Sequence, residues 1–168
     1  MSGWVRVAVP LLFMLTGCSS DRSLGPFVRT GPSSDMVAFR ELVSPPVTPR
    51  AVTFATYYGS EPRWYLTEQD WYLIAVLQYG NETLRVLEAG AKEQGHDFLL
   101  DLGELPAWVP AEVKEKVVSE PEKAFRLNGR VFDAARLVRG GLHGGSFVVV
   151  EGTDYLILRA DRWGPSKH

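Results

Sequence analysis

Apolar and polar positions alternate with several different periods along the chain, and each period predicts an element. From Asp35 to Val43 (DMVAFRELV), Met36, Phe39, Leu42 and Val43 fall at helical spacing before Ser44-Pro45-Pro46 stops the pattern. This predicts a short amphipathic helical turn that docks on its own domain, with docking on a partner as the alternative. Ala51 to Tyr58 (AVTFATYY) alternates loosely among β-branched and aromatic residues, and predicts a strand ended by Gly59. Trp71 to Tyr79 is nine nearly continuous apolar positions behind Thr67-Glu68-Gln69-Asp70, a capping pattern. A helix is the expectation there, with a strand turning at Gly80-Asn81 as the rival, because an unbroken apolar run has no diagnostic period.

The second half is punctuated more heavily. Asn81 can cap a helix that carries Leu84, Leu87 and Ala91 on one face and ends near Gly95. Asp97 to Leu102 is a short apolar segment, and Ala111 to Ser119 predicts a helix burying Val113 and Val117. Asn128-Gly129, inside Phe125 to Phe132, predicts a tight hairpin turn. Phe147 to Val150 and Tyr155 to Arg159 flank Glu151-Gly152-Thr153-Asp154, so an antiparallel hairpin with a four-residue loop is expected. The fold class expected from these elements is α+β: a small single domain with two or three helices and a C-terminal antiparallel hairpin.

Composition then sets the boundaries. The 168 residues are 45% hydrophobic and 23% charged, the balance of one globular domain. Between Ser19 and Arg50, six Ser, five Pro and two Gly read as a tether. The expected division is a leader at 1–17, a lipidated N-terminus and tether at 18–50, a globular domain at 51–163 and a flexible tail at 164–168. With 18 basic against 20 acidic residues the formal charge is −2, which offers no footprint for nucleic acid.

The leader carries the most specific motif. Arg6 precedes Val7 to Thr16 (VAVPLLFMLT), an uncharged run too short for a permanent ~30 Å span, and the run ends in Leu15-Thr16-Gly17-Cys18. These four residues resemble the lipobox of bacterial lipoproteins. The resemblance implies cleavage between Gly17 and Cys18, a diacylglycerol on the Cys18 thiol and an acyl group on the new amino terminus. It implies a lipid-anchored place in the cell envelope, on the periplasmic face of the outer membrane if the cell is Gram-negative, because Ser19 and not Asp follows the cysteine. Cys18 is the sole cysteine, so no disulfide can staple the domain.

Candidate chemistry is sparse. Zinc needs three or four ligands at workable spacing, whereas His96, His143 and His168 stand far apart. Gly144-Gly145-Ser146-Phe147 lacks the downstream glycine of a nucleophile elbow, and no glycine run has a phosphate-loop spacing. No catalytic residue, metal ligand or cofactor is therefore assigned. His143 and Ser146 are kept as a ligand-gripping loop. The aromatic doublets Tyr57-Tyr58, Trp64-Tyr65 and Trp71-Tyr72 recur every seven residues, and supply either a core of large rings or an exposed platform. The candidate binding residues are thus Trp64, Tyr65, Trp71, Tyr72, His143 and Ser146. The functional expectation is a noncatalytic envelope lipoprotein that binds a protein partner as an assembly, structural or inhibitor/immunity factor. The alternatives are a peptidoglycan- or glycan-binding or glycan-acting protein and a small-ligand carrier.

Overall fold

The computed structural model describes residues 28–58, 71–101, 105–119, 124–139 and 141–162. In chain order the elements are β1 (Val28–Ser33), α1 (Met36–Leu42), β2 (Ala51–Tyr58), β3 (Trp71–Gln78), α2 (Asn81–Ala89), β4 (Glu93–Gln94), β5 (Phe98–Asp101), α3 (Ala111–Lys114), β6 (Val117–Ser119), β7 (Ala124–Leu127), β8 (Val131–Asp133), β9 (Gly144–Val149) and β10 (Tyr155–Arg162). They form a seven-stranded sheet in the order β1-β2-β3-β10-β9-β8-β4, and a three-stranded sheet in the order β5-β7-β6. All the described pairings are antiparallel.

This corrects the α+β expectation: the described residues are mostly β, with three short helices among them. The expected helix at 71–79 is strand β3. Its apolar run is continuous because the strand is buried on both faces, which erases the alternation that marks a half-exposed strand. Leu73, Ala75 and Leu77 face one side with Phe54, Phe132, Phe147, Leu156 and Leu158, where Phe39 of α1 and Leu84 and Leu87 of α2 close the layer. Ile74 and Val76 face the other with Ala55, Val148 and Ile157, where Phe98, Leu100 and Leu127 of the small sheet cover them. The molecule is therefore three layers: helices, large sheet, small sheet.

Other expectations change for similar reasons. The helix expected over 111–119 is a single turn, because Val117–Ser119 instead pairs with β7 in the small sheet. Asn128-Gly129 does not close a hairpin; β7 pairs with β5 and β6 while β8 pairs with β9 and β4, so the turn carries the chain from one sheet to the other. Helix α2 starts after Gly80 and ends at Ala89, short of Gly95. The cap proposed at Thr67 and the tail at 164–168 lie outside the described residues.

The segment read as a tether contributes to the folded body. Val28–Ser33 pairs with β2, and the hydroxyls of Thr30 and Thr56 meet at 2.6 Å, which satisfies the buried Thr56. Helix α1 is capped by Asp35, whose carboxylate accepts from the amides of Val37 (2.8 Å) and Ala38 (3.3 Å). Both edges of the large sheet are blunted. Strand β1 carries two irregularities and Pro32, which has no N–H to offer, and β4 is two residues long.

Candidate functional site

At one end of the large sheet β1 begins, β2 ends, β3 and β9 begin and β10 ends. Pairing there sets Tyr58 opposite Trp71 and Trp71 opposite Arg162, on the face that carries the helices. The Arg29 guanidinium lies 4.7 Å from the Trp71 ring centroid and 5.9 Å from that of Tyr58, and Arg162 lies 5.8 Å from Trp71. Trp71 is 4% exposed, so it is a core ring held between two cations and does not serve as an open platform. Tyr58, at 37%, presents its ring to solvent.

The opposite face holds the other half of the end. Tyr57 stands across from Tyr72, the rings stack with centroids 5.4 Å apart, and Arg159 lies 5.2 Å from the Tyr72 centroid. Arg159 also donates to the Leu99 carbonyl at 3.2 Å and to the Asp161 carboxylate at 3.4 Å. Burial pushes the Tyr57 phenol above its ordinary range, partly offset by a hydrogen bond with Trp108. The Tyr57 phenol therefore stays a neutral hydrogen-bonding group at physiological pH.

The two loop candidates are close in sequence but separate in role. Ser146 pairs with Arg159 across β9 and β10, and its hydroxyl donates to Gln94 Oε1 at 2.8 Å. This arrangement ties the sheet together and leaves the hydroxyl engaged. His143 is exposed and its backbone N–H donates to the Asp161 carbonyl. Gly145, between them, fits where a Cβ would lie 2.3 Å from the Arg159 carbonyl oxygen. Gly145 is thus required by a close backbone approach, whereas a Cβ at Gly144 would meet nothing within 4 Å. Trp64, Tyr65, Gly17 and Cys18 lie outside the described residues. Sequence reasoning missed Arg29, Arg159 and Arg162. Arg29 falls in the Ser/Pro-rich stretch that reads as a tether, and only the β3–β10 register brings the other two to the rings.

Among the described residues, two concavities lie away from this end. Between α2 and the segment before β2, a cavity of about 540 Å³ is lined by Val47, Val86, Leu87, Ala91, Leu137 and Phe147, with Arg136, Lys92 and Asp133 also on its wall. Val86 is 64% exposed and Val47 40%, so the apolar lining continues onto the surface. At the far end of the sheet a cavity of about 820 Å³ with mixed polar and apolar walls lies among Asn81, Glu112, Arg130, Glu151, Asp154 and Tyr155. Burial pushes the Tyr155 phenol up, with the carboxylates of Glu112 and Asp154 adding to it.

Among the described residues no group of three His, Cys, Asp or Glu side chains could hold a metal ion, and no helix is long and apolar enough to cross a membrane. The chain matches no known protein family, no curated protein and no solved structure.

Proposed function

We propose that this protein is a lipid-anchored component of the bacterial cell envelope that works by binding a protein partner. The observation that carries the reading is Leu15-Thr16-Gly17-Cys18 at the end of an uncharged apolar run, with a folded strand beginning ten residues later at Val28. A short leader of that kind delivers the chain across a membrane, and two or three acyl chains on Cys18 would hold it there stably where one would not. Binding is favoured by what the surface does present. The Val47 and Val86 groove continues from solvent to buried Leu87 and Phe147, with charged side chains on its wall, the arrangement of an apolar anchor site with a polar rim. The partner suited to it is an envelope protein that inserts aliphatic or aromatic side chains.

The anchor is tested by metabolic labelling with a fatty-acid analogue. The wild-type chain is expected to take the label and Cys18→Ser to lose it, with an unprocessed precursor of higher mass; equal labelling of both defeats the anchor. The binding surface is tested by purification from detergent-solubilised membranes. A stoichiometric protein partner is expected with wild type and is expected to be lost with Val86→Glu, whose exposed position leaves the fold intact. Retention of the partner by Val86→Glu would remove the groove from the proposal.

A further inference from the structure

We infer that the arginine and aromatic end of the large sheet docks on the anionic headgroup surface of the membrane to which the chain is anchored. The inference rests on the anchor proposed above and adds a second contact to it. Three observations carry it. The first is where the chain enters. Only nine residues lie between Cys18 and Val28, and the ten peptide units that join them span at most about 36 Å whatever their conformation. Val28 pairs with Tyr57, so the chain arrives from the anchor at the end of the sheet where Tyr58, Trp71 and Arg162 lie in one row.

The second observation is charge. Arg29, Arg159 and Arg162 gather at that end, and among its described side chains Asp161 is the carboxylate bonded to any of them, through Arg159. Arg29 and Arg162 meet no carboxylate among the described residues and stand against ring faces instead. The opposite end is mixed: Glu88, Glu112, Glu151 and Asp154 line its cavity with Arg85 and Arg130, and Arg50 lies beside Gly80 and Lys116 beside Gly152. An anionic surface therefore favours the entry end, whose Arg29 and Arg162 are unpaired with any described carboxylate, over the charge-balanced far end.

The third is the chemistry of the groups. Arginine stems that pack on rings hold the guanidinium at the polar boundary, and tyrosine joins an apolar ring to a polar edge, the pairing suited to a headgroup layer. Exposed Tyr58 beside exposed Arg29 presents both. A basic side chain near an anionic bilayer contributes about fivefold to the docking equilibrium, so Arg29 and Arg162 together are expected to contribute about 30-fold.

The test uses the full chain purified from membranes and reconstituted into vesicles of phosphatidylethanolamine with phosphatidylglycerol, and into neutral phosphatidylcholine vesicles. With Cys18 acylated, a single introduced cysteine is the sole free thiol, so an environment-sensitive dye is placed at His143→Cys on the entry end or at Glu151→Cys on the far end. The expected result is quenching by headgroup nitroxide lipids at 143 and not at 151, strong on the anionic vesicles and weak on the neutral ones. Arg29→Gln with Arg162→Gln, which keeps the packing stems, is expected to weaken docking about 30-fold while the protein still floats with the vesicles. A melting curve close to wild type verifies that the variant is folded. Equal quenching at 143 and 151 in floating protein, or no change in the double variant, overturns the docking alone. Failure of wild type to float overturns the anchor and the docking with it.

Discussion

Tyr57 and Tyr72 are direct cross-strand partners in β2 and β3, and their rings stack at 5.4 Å with planes 19° apart. The neighbouring pair, Tyr58 and Trp71, stands opposite in the same way on the other face. The doublets at 57–58 and 71–72 are therefore the two sides of one register. A stacked pair of this kind contributes about 0.5–1.5 kcal/mol beyond the area it buries. A double-mutant cycle with Tyr57→Leu, Tyr72→Leu and the combined variant, read by urea denaturation, should return a coupling in that range. A coupling near zero would mean that each ring is held by its other neighbours.

Gly145→Ala should be strongly destabilising although it adds one methyl group. The new Cβ would meet the Arg159 carbonyl oxygen and Ala160 Cα at 2.3 and 2.8 Å, both backbone atoms of the central strand β10. Neither can move without opening the β9–β10 ladder. A loss of more than about 2 kcal/mol is expected, against about 0.5 kcal/mol for an ordinary surface change such as His143→Ala. Thermal unfolding of the two variants side by side distinguishes the cases.

Alkaline pH should unfold the protein partly through Tyr79. Its ring is buried, its hydroxyl donates to the Val47 carbonyl at 3.2 Å, and burial holds its phenol far above the ordinary value of about 10. Above that ordinary value the unfolded chain releases a proton that the folded chain retains. Stability is therefore fully present below about pH 10 and falls as pH rises beyond it. Tyr79→Phe should cost about 0.5–1.5 kcal/mol at pH 7 through the lost hydrogen bond, and should flatten the decline between pH 9.5 and 11. An unchanged alkaline slope would assign the decline to Tyr57 and Tyr155, whose phenols are also raised.

What was legible in the sequence was local. The β9–β10 hairpin could be read because β-branched strands flank a loop in which Gly152 takes a positive φ of 74°. The amphipathic stripe of α1 could be read because Phe39 and Val43 recur at helical spacing and Asp35 precedes them. What failed depended on partners distant in sequence. Trp71–Gln78 reads as a helix until β10, some eighty residues on, is known to pair with it and the small sheet is known to cover its second face. The seven-residue spacing of the doublets was visible, but its meaning as a cross-strand register was not. The arginines of the candidate site were invisible for the same reason, since a strand reveals its neighbours only after its pairing is fixed.

The position of β10 bears on the order in which the fold can close. This last strand lies between β3 and β9, at the middle of the seven-stranded sheet. A nascent chain that stops short of Tyr155 holds β1-β2-β3 and β9-β8-β4 as two half-sheets, each with an open edge and nothing to join them. Closure of the sheet waits for β10, the last of the described strands in chain order, as expected for a topology dominated by distant pairings. On the export proposed above, the arrangement would be protective: the strand that joins the two half-sheets would follow the other described strands across the membrane, so the sheet would lock only after they had passed.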